Sequence, residues 1–115
     1  MFTLVWTPEA QANYDELKAS ALASLAARGQ KGKGKSAKVE GLFKQVYKAV
    51  QLLSSNPRNP GLQTHEFHSL VHPYDKNQKV FEAYVQEKTP GAYRIFWCYG
   101  PEKRQITIIA ITPHP

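Results

Sequence analysis

Two dense apolar runs near the C-terminal end dominate the hydrophobic pattern of this chain, Tyr93 to Tyr99 and Ile106 to Ile111. The segment between them, Gly100 to Arg104, has the composition of a turn, so the pattern predicts a β-hairpin. Both faces of the hairpin are largely apolar, which predicts a central place in a sheet with cover on one side and a semi-sheltered groove on the other. Arg94 is the one charged residue in the two runs, and we expect it to line that groove.

Side chains alternate along a strand, and this assigns the faces of the hairpin. In the first run Arg94, Phe96 and Cys98 share one face. The second run divides into Ile106, Ile108 and Ala110 on one face and Thr107, Ile109 and Ile111 on the other. His114 follows the second run, so an arginine on one strand and an imidazole at the end of the next can converge on one spot.

The N-terminal part of the chain predicts a strand followed by a helix. Phe2 to Trp6 alternates and indicates a short first strand. Thr7 suits the N-cap of a helix and Pro8 its first position. Strong helix formers continue to about Arg28, and we expect Gly29 to end the helix. Its apolar stripe, interpreted as a core face, consists of Ala10, Tyr14, Leu17, Ala21 and Leu25.

The remaining sequence predicts a second helix and further strands. A flexible Gly/Lys loop at about 29–38 leads to a 3.6-residue apolar rhythm from Val39 to Ser54 or Ser55. Beyond a proline-rich turn, His65 to Val71 and Lys79 to Val85 look like two strands. The prediction is one α+β domain over residues 1–115, with an N-terminal strand, an antiparallel two-helix hairpin and a three- to four-stranded antiparallel meander.

Composition narrows the class of protein. The chain has 115 residues, 42% hydrophobic and 21% charged, which suits one ordinary globular domain. No apolar run approaches the roughly 20 residues that span a bilayer, and the N-terminus lacks the pattern of a signal peptide. The single cysteine, Cys98, excludes an internal disulfide. We therefore expect a cytoplasmic protein with no membrane partner.

The net charge of +6 is concentrated in one segment. Five positive residues and no acidic residue lie between Arg28 and Lys38, and the rest of the chain is nearly neutral. This segment is either a solvated loop or a contact for nucleic-acid phosphates. The candidate RNA-binding residues are Lys31, Lys33 and Lys35 in the loop, with Lys79 and Tyr84 on the strand that follows later.

Three segments resemble the RelE/ParE superfamily of toxins from bacterial type II toxin–antitoxin systems. Val5 to Ala10 is similar to the first strand and helix entry of that family. Tyr93 to Trp97 is similar to its aromatic-Arg-aliphatic strand, and Ile108 to His114 to its last strand, which ends in a catalytic residue. In order and spacing the resemblance covers essentially the whole chain.

The resemblance implies a small toxin that enters the ribosomal A site, cleaves mRNA without a cofactor and is held inactive by a cognate antitoxin. In YoeB-like members an arginine, a glutamate and a C-terminal histidine carry the chemistry, and Arg94 and His114 match the first and last of these. Members of the ParE branch keep the fold but inhibit DNA gyrase, so a gyrase inhibitor without RNase activity stays open. An inactive member that only binds its antitoxin is a third alternative.

The residues themselves suit RNA cleavage. Attack by the 2′-hydroxyl requires a base, a cation beside the phosphate and an acid for the leaving oxygen. Arg94 offers a permanently charged donor fork for the phosphate, and His114 titrates near neutrality and can serve as the acid. For the base we favour Glu66, with Glu82 as the competitor. Glu82 is also the carboxylate that would pair with Arg94 if the arginine were merely structural.

A metal site or a cysteine nucleophile has weak support. His65, His68 and His72 with Cys98 match no compact metal motif, and alternation places His65 and His68 on opposite faces. Cys98 lies in an apolar strand, where a thiol is usually inert. We therefore expect no metal.

Overall fold

The computed structural model describes residues 1–30, 38–86 and 91–114. The elements in chain order are β1 (Thr3–Trp6), α1 (Pro8–Gln30), α2 (Lys38–Ser55), a 3₁₀ turn (Pro60–Leu62), β2 (His65–Phe67), β3 (Val80–Tyr84), β4 (Tyr93–Tyr99) and β5 (Gln105–Pro113). Within these described ranges no helix is long and apolar enough to cross a membrane. Most of the predicted Gly/Lys loop, with Lys31, Lys33 and Lys35, lies outside the described residues.

The five strands form one sheet in the order β1-β5-β4-β3-β2. From β2 to β5 each strand pairs antiparallel with the next, and β4 is the central strand. Strand β1 adds to the free edge of β5 in the parallel direction. The α+β class is therefore confirmed, but the sheet is mixed because the first strand pairs with the last.

The helices cover one face of the sheet and form the main core with it. Trp97 and Ile95 of β4 are fully buried against Leu53 and Val46 of α2. At the start of α1, Ala10 is fully buried because the helix meets the sheet closely there. Burial of these apolar side chains is the dominant favourable term in folding a chain of this size.

Helix α1 differs from its prediction at the C-terminal end. It runs through Gly29 to Gln30, whereas we expected Gly29 to stop it. Leu25 belongs to the predicted core stripe but is 48% exposed, because the last turns of the helix lie beyond the sheet. Here the Arg28 guanidinium pairs at 2.5 Å with Glu40 of α2, which ties this end of α1 to its neighbour.

Strand β2 is shorter than predicted, because residues 68–79 leave it to cross the second face of the sheet. His72 Nε2 donates to the Tyr99 carbonyl at 3.0 Å, and the Tyr74 hydroxyl lies 2.9 Å from Thr107 Oγ1. Cys98 beneath this segment is fully buried. The segment thus covers part of the second face and leaves a groove beside it, as the apolar pattern of the hairpin predicts.

A β-bulge in β5 decides which residues face this groove. The pairing of β4 with β5 steps from Phe96 opposite Ala110 to Trp97 opposite Ile108, so Ile109 is an extra residue. Since alternation has a period of two residues, one extra residue exchanges the faces of all that follow it. Every residue of β5 beyond the bulge therefore points to the opposite side from the one that strict alternation assigns.

The predicted alternation is consequently wrong beyond Ile109. Ile111 joins the core under the helices, while Ala110 lies on the groove face. Thr112 lies opposite Arg94 on the same groove face. Because His114 is two residues further on, the bulge brings it to the side of the sheet that Arg94 occupies.

Thr7 fastens the bulge to the start of α1. Its Oγ1 accepts the Ala10 amide at 3.0 Å, as an N-cap should, and donates to the Ile109 carbonyl at 2.7 Å. The Thr7 amide also donates to the Ile108 carbonyl at 3.1 Å. One side chain therefore satisfies both a helix end and the irregular point of the strand.

Replacing Thr7 by valine should lower the free energy of unfolding by about 1 to 3 kcal/mol, because an N-cap and a second part-buried hydrogen bond are lost together. Urea denaturation monitored by circular dichroism measures the change. Thr7→Ser keeps the hydroxyl and should stay within about 1 kcal/mol of the parent. Equal stability of the two variants would show that the hydroxyl does not hold the bulge.

Candidate active site

A buried carboxylate lies between two exposed histidines on the groove face. Glu82 Oε1 is 2.7 Å from His65 Nε2, and Glu82 Oε2 is 2.5 Å from His114 Nδ1. The Glu82 side chain is 2% exposed, while the His65 and His114 side chains are 46% and 47% exposed. We call these three residues the His-Glu-His cluster.

Three separate parts of the chain contribute to the cluster. Glu82 is at the middle of β3, and His65 lies directly opposite it on the edge strand β2. His114 follows β5, where its amide donates to the Ala92 carbonyl at 2.8 Å and continues the pairing with β4. The two histidines thus approach Glu82 from opposite sides of β3.

Arg94 shares this face but is not open to solvent. Its residue exposure is 5%, and Nη1 donates to the carbonyls of Gln86 and Tyr93 at 3.0 and 3.1 Å. The Tyr84 ring covers the guanidinium, with 3.8 Å between the guanidinium carbon and the ring centroid. Arg94 therefore has backbone partners where we considered Glu82 as its structural partner, and both Glu82 oxygens are bonded to histidines.

Glu66 and Lys79 lie away from the cluster. In the register of β2 with β3, Glu66 is opposite Phe81, whose ring stacks on Trp97 in the helix-side core. Lys79 Nζ is 3.6 Å from Glu66 Oε1. The structure thus does not bring Glu66, the favoured base, to His114. Its competitor Glu82 is the carboxylate at the histidine.

The other histidines have local roles. His68 Nδ1 is 3.4 Å from Glu66 on the far side, at an exposed position. His72 is buried and accepts the amides of Tyr74 and Asp75, both at 3.1 Å, through Nδ1. Within the ranges that the structure covers, no group of three or more His, Cys, Asp or Glu side chains is arranged to hold a metal ion.

A groove of about 310 Å³ adjoins the cluster. Phe96 at its floor lies opposite Glu82 in the sheet, and Pro113 at its end precedes His114. The Phe67 ring packs on Phe96 with 4.7 Å between centroids. The lining is Glu9, Phe67, Ser69, Leu70, Phe96, Ile109, Ala110, Thr112 and Pro113. It is mostly apolar, with one carboxylate at the mouth.

Sequence reasoning missed His65. The sequence pattern points to it only as a metal ligand, and its position at the start of a short strand carries no motif. The available signal was its pairing across β2 and β3 with Glu82, which depends on a register that the pattern alone does not determine.

Solved structures supply the comparison with known proteins. A YoeB/ParE toxin from Agrobacterium tumefaciens superposes with a TM-score of 0.61 at 11% identity, covering 98% of this chain and 99% of that one. A YoeB dimer from Staphylococcus aureus gives 0.60 at 10% identity, covering 99% and 98%. A metal-bound toxin from Helicobacter pylori gives 0.54 at 12% identity, covering 99% and 96%.

The chain has the RelE/ParE toxin fold. The likeness extends over the whole chain, but at these identities it establishes the fold alone. No known family profile matches the sequence. A 53-residue stretch is 38% identical to Nucleosome assembly protein 1-like 3 of Rattus norvegicus, but it spans 46% of this chain and only about a tenth (10%) of that protein.

Cys98 of this toxin fold should be unreactive, because burial raises the pKa of its thiol to about 11 and no solvent reaches it. We expect iodoacetamide at pH 8 to leave the folded protein unlabelled and to label it fully in urea, as measured by mass spectrometry. Cys98→Ala is the blank for labelling elsewhere. Labelling of the folded protein at the rate of a free thiol would contradict the buried position.

Proposed function

We propose that this protein is the toxin of a toxin–antitoxin pair and cleaves mRNA on the ribosome. The observation that carries the proposal is the 2.5 Å hydrogen bond between His114 and the buried Glu82 beside an open groove. A carboxylate that holds one ring nitrogen of a histidine leaves the other nitrogen oriented for proton transfer. The toxin fold supports the same class of protein.

His114 is the proton-transfer residue in this proposal, and Glu82 is its holder. Glu82 Oε2 accepts the Nδ1 proton, so Nε2 is the nitrogen that meets a substrate. Nε2 has no hydrogen-bond partner among the residues described here. It takes the proton of the RNA 2′-hydroxyl as that oxygen attacks phosphorus. The resulting imidazolium then protonates the leaving 5′ oxygen.

Arg94 acts from below the surface rather than as a phosphate clamp. Its guanidinium is held by two backbone carbonyls and covered by Tyr84. Its positive charge can therefore act on the site only through space and not by direct contact with a phosphate. Arg94 thus offers no open guanidinium to a phosphate beside His114. A site that needs positive groups from elsewhere fits an enzyme that works only on the ribosome, where substrate and surroundings are brought together.

In this proposal the apolar groove holds a nucleobase next to the cleaved bond. Its floor is aromatic, with the rings of Phe67 and the buried Phe96 tilted by 55° to each other, and the groove reaches Pro113, the residue before His114. Proteins recognise single-stranded RNA largely by stacking splayed bases on such side chains. Glu9 at the mouth offers a carboxylate that can accept hydrogen bonds from the edge of the base.

An antitoxin is the expected protein partner. The chain carries a net charge of +6, so an acidic partner would be attracted to it. Leu22, Leu25 and Tyr47 of the two helices are 56%, 48% and 51% exposed, and an antitoxin segment would bury such side chains.

Gyrase inhibition without RNase activity is the second candidate, and the burial of Arg94 favours it. A nuclease site normally presents an open cation to the phosphate, whereas the guanidinium here is 5% exposed. Inhibited supercoiling by purified gyrase, together with intact mRNA in a translating extract, would replace the first proposal by this one.

Glu82→Gln and His114→Ala should each reduce cleavage of ribosome-bound mRNA by about 10²- to 10⁴-fold, because each removes oriented proton transfer. Primer extension on an mRNA in a reconstituted translation reaction measures the cleavage. Glu66→Gln, on the other side of the sheet, is the matched control and should remain active. Wild-type activity of the Glu82 and His114 variants, or equal loss in the Glu66 variant, would refute this site.

Phe67→Leu should weaken substrate binding by roughly 5- to 100-fold, because a stacked base contributes about 1–3 kcal/mol and leucine offers no aromatic face. The change should appear in KM, with kcat nearly unchanged, since Phe67 does not touch His114 in the described contacts. Phe67→Tyr retains the ring and serves as the control. Identical KM values for the leucine and tyrosine variants would show that no base stacks there.

A further inference from the structure

His65 makes hydrogen bonds through both ring nitrogens, and both partners are acceptors when Glu82 is ionised. Nδ1 lies 3.0 Å from the Gln63 carbonyl oxygen, which can only accept. Nε2 lies 2.7 Å from Glu82 Oε1. A neutral imidazole has one N–H and one lone pair, so it cannot donate in both directions. These two partners therefore favour a His65 ring that is protonated on both nitrogens.

The charge balance of the whole cluster also favours a doubly protonated His65. Glu82 is almost fully buried, and an ionised carboxylate in that position needs donors on both oxygens and a compensating charge. A doubly protonated His65 supplies one donor and the positive charge. His114 then needs only to donate a hydrogen bond from Nδ1–H to Glu82, and its Nε2 can remain unprotonated. The cluster as a unit carries no net charge.

We infer that His65 is the standing counter-ion of Glu82 and a positioning residue for His114. A carboxylate paired with one histidine alone favours the imidazolium form of that histidine, because the opposite charge stabilises it. With His65 as the counter-ion, the negative charge of Glu82 is already balanced. His114 Nε2 can then keep its lone pair and act as a base, because Nδ1 is the nitrogen that bonds Glu82. This role for His114 rests on the proposed function, but the charge state of His65 does not.

The groups around His65 are consistent with a charged ring. The Tyr84 ring lies edge-on to the His65 ring, with 5.6 Å between their centroids. The Arg94 guanidinium lies against the Tyr84 ring. The Tyr84 ring thus contacts both the His65 ring and the positive charge of Arg94. From the chain just before β2 the neighbour is the Gln63 carbonyl, and from β3 it is the Glu82 carboxylate. Both of the nearest polar partners favour the imidazolium.

The test compares the wild-type protein with His65→Gln and His68→Gln. A glutamine amide can still donate to Glu82 but carries no charge. His68 is the matched control, because it is an exposed histidine three residues along that pairs with Glu66 on the other side. Long-range ¹H–¹⁵N spectra report the protonation of each ring, and a pH series follows the titration of His114 with no need for enzymatic activity.

We expect both nitrogens of His65 to be protonated in the wild type at pH 7. In His65→Gln, the titration of His114 should move to higher pH by about one unit or more, as for a histidine that becomes the sole partner of a carboxylate. The rising limb of a cleavage pH profile should move with it, with loss in kcat rather than KM. His68→Gln should leave both curves in place.

Two results would overturn the inference. One is a neutral His65 ring beside a protonated Glu82, seen in the ¹⁵N and carboxyl ¹³C spectra of the folded protein. The other is a His114 titration that is the same in His65→Gln as in His68→Gln, with both variants folded by thermal melting. Absence of RNA cleavage in the wild type would count against the proposed function and leave the spectroscopic comparison decisive for His65.

Discussion

The burial of the Glu82 carboxyl group is the constraint on which the groove side of this protein depends. A carboxylate that is nearly inaccessible to water in the middle of β3 must be given donors by the protein, or it destabilises the fold. His65 on the edge strand and His114 beyond the last strand meet that requirement from opposite sides. One side chain thereby ties the edge of the sheet and the end of β5 to the same point.

The two faces of the sheet differ in what they contribute: one forms the core and the other carries the candidate site. The helix side buries Trp97, Ile95 and Leu53 and carries most of the hydrophobic stabilisation. The other side is only partly covered by residues 68–79, and there polar groups with defined partners alternate with an aromatic floor. The first face anchors the sheet, and on the second face the bond to Glu82 holds His114.

The candidate site was only partly predictable. Residue type and position in the sequence indicate Arg94 and His114, and both lie on the groove face. The choice between Glu66 and Glu82 depended on which face each one occupies, and adjacent registers of a short strand exchange those faces. The burial of Arg94 also follows from packing, since Tyr84 reaches it across the strand pair from a position that looks like any exposed aromatic in the sequence.

The sequence by itself determined the class of fold, the second helix and the extent of β4, because hydrophobic periodicity and turn residues act over a few neighbouring positions. Only the tertiary structure decided that β1 joins β5 and that Ile109 forms a bulge. That bulge turns His114 toward Glu82. The Thr7 hydroxyl bonds the Ile109 carbonyl at the bulge across 102 residues of sequence, and no local pattern contains such a long-range contact.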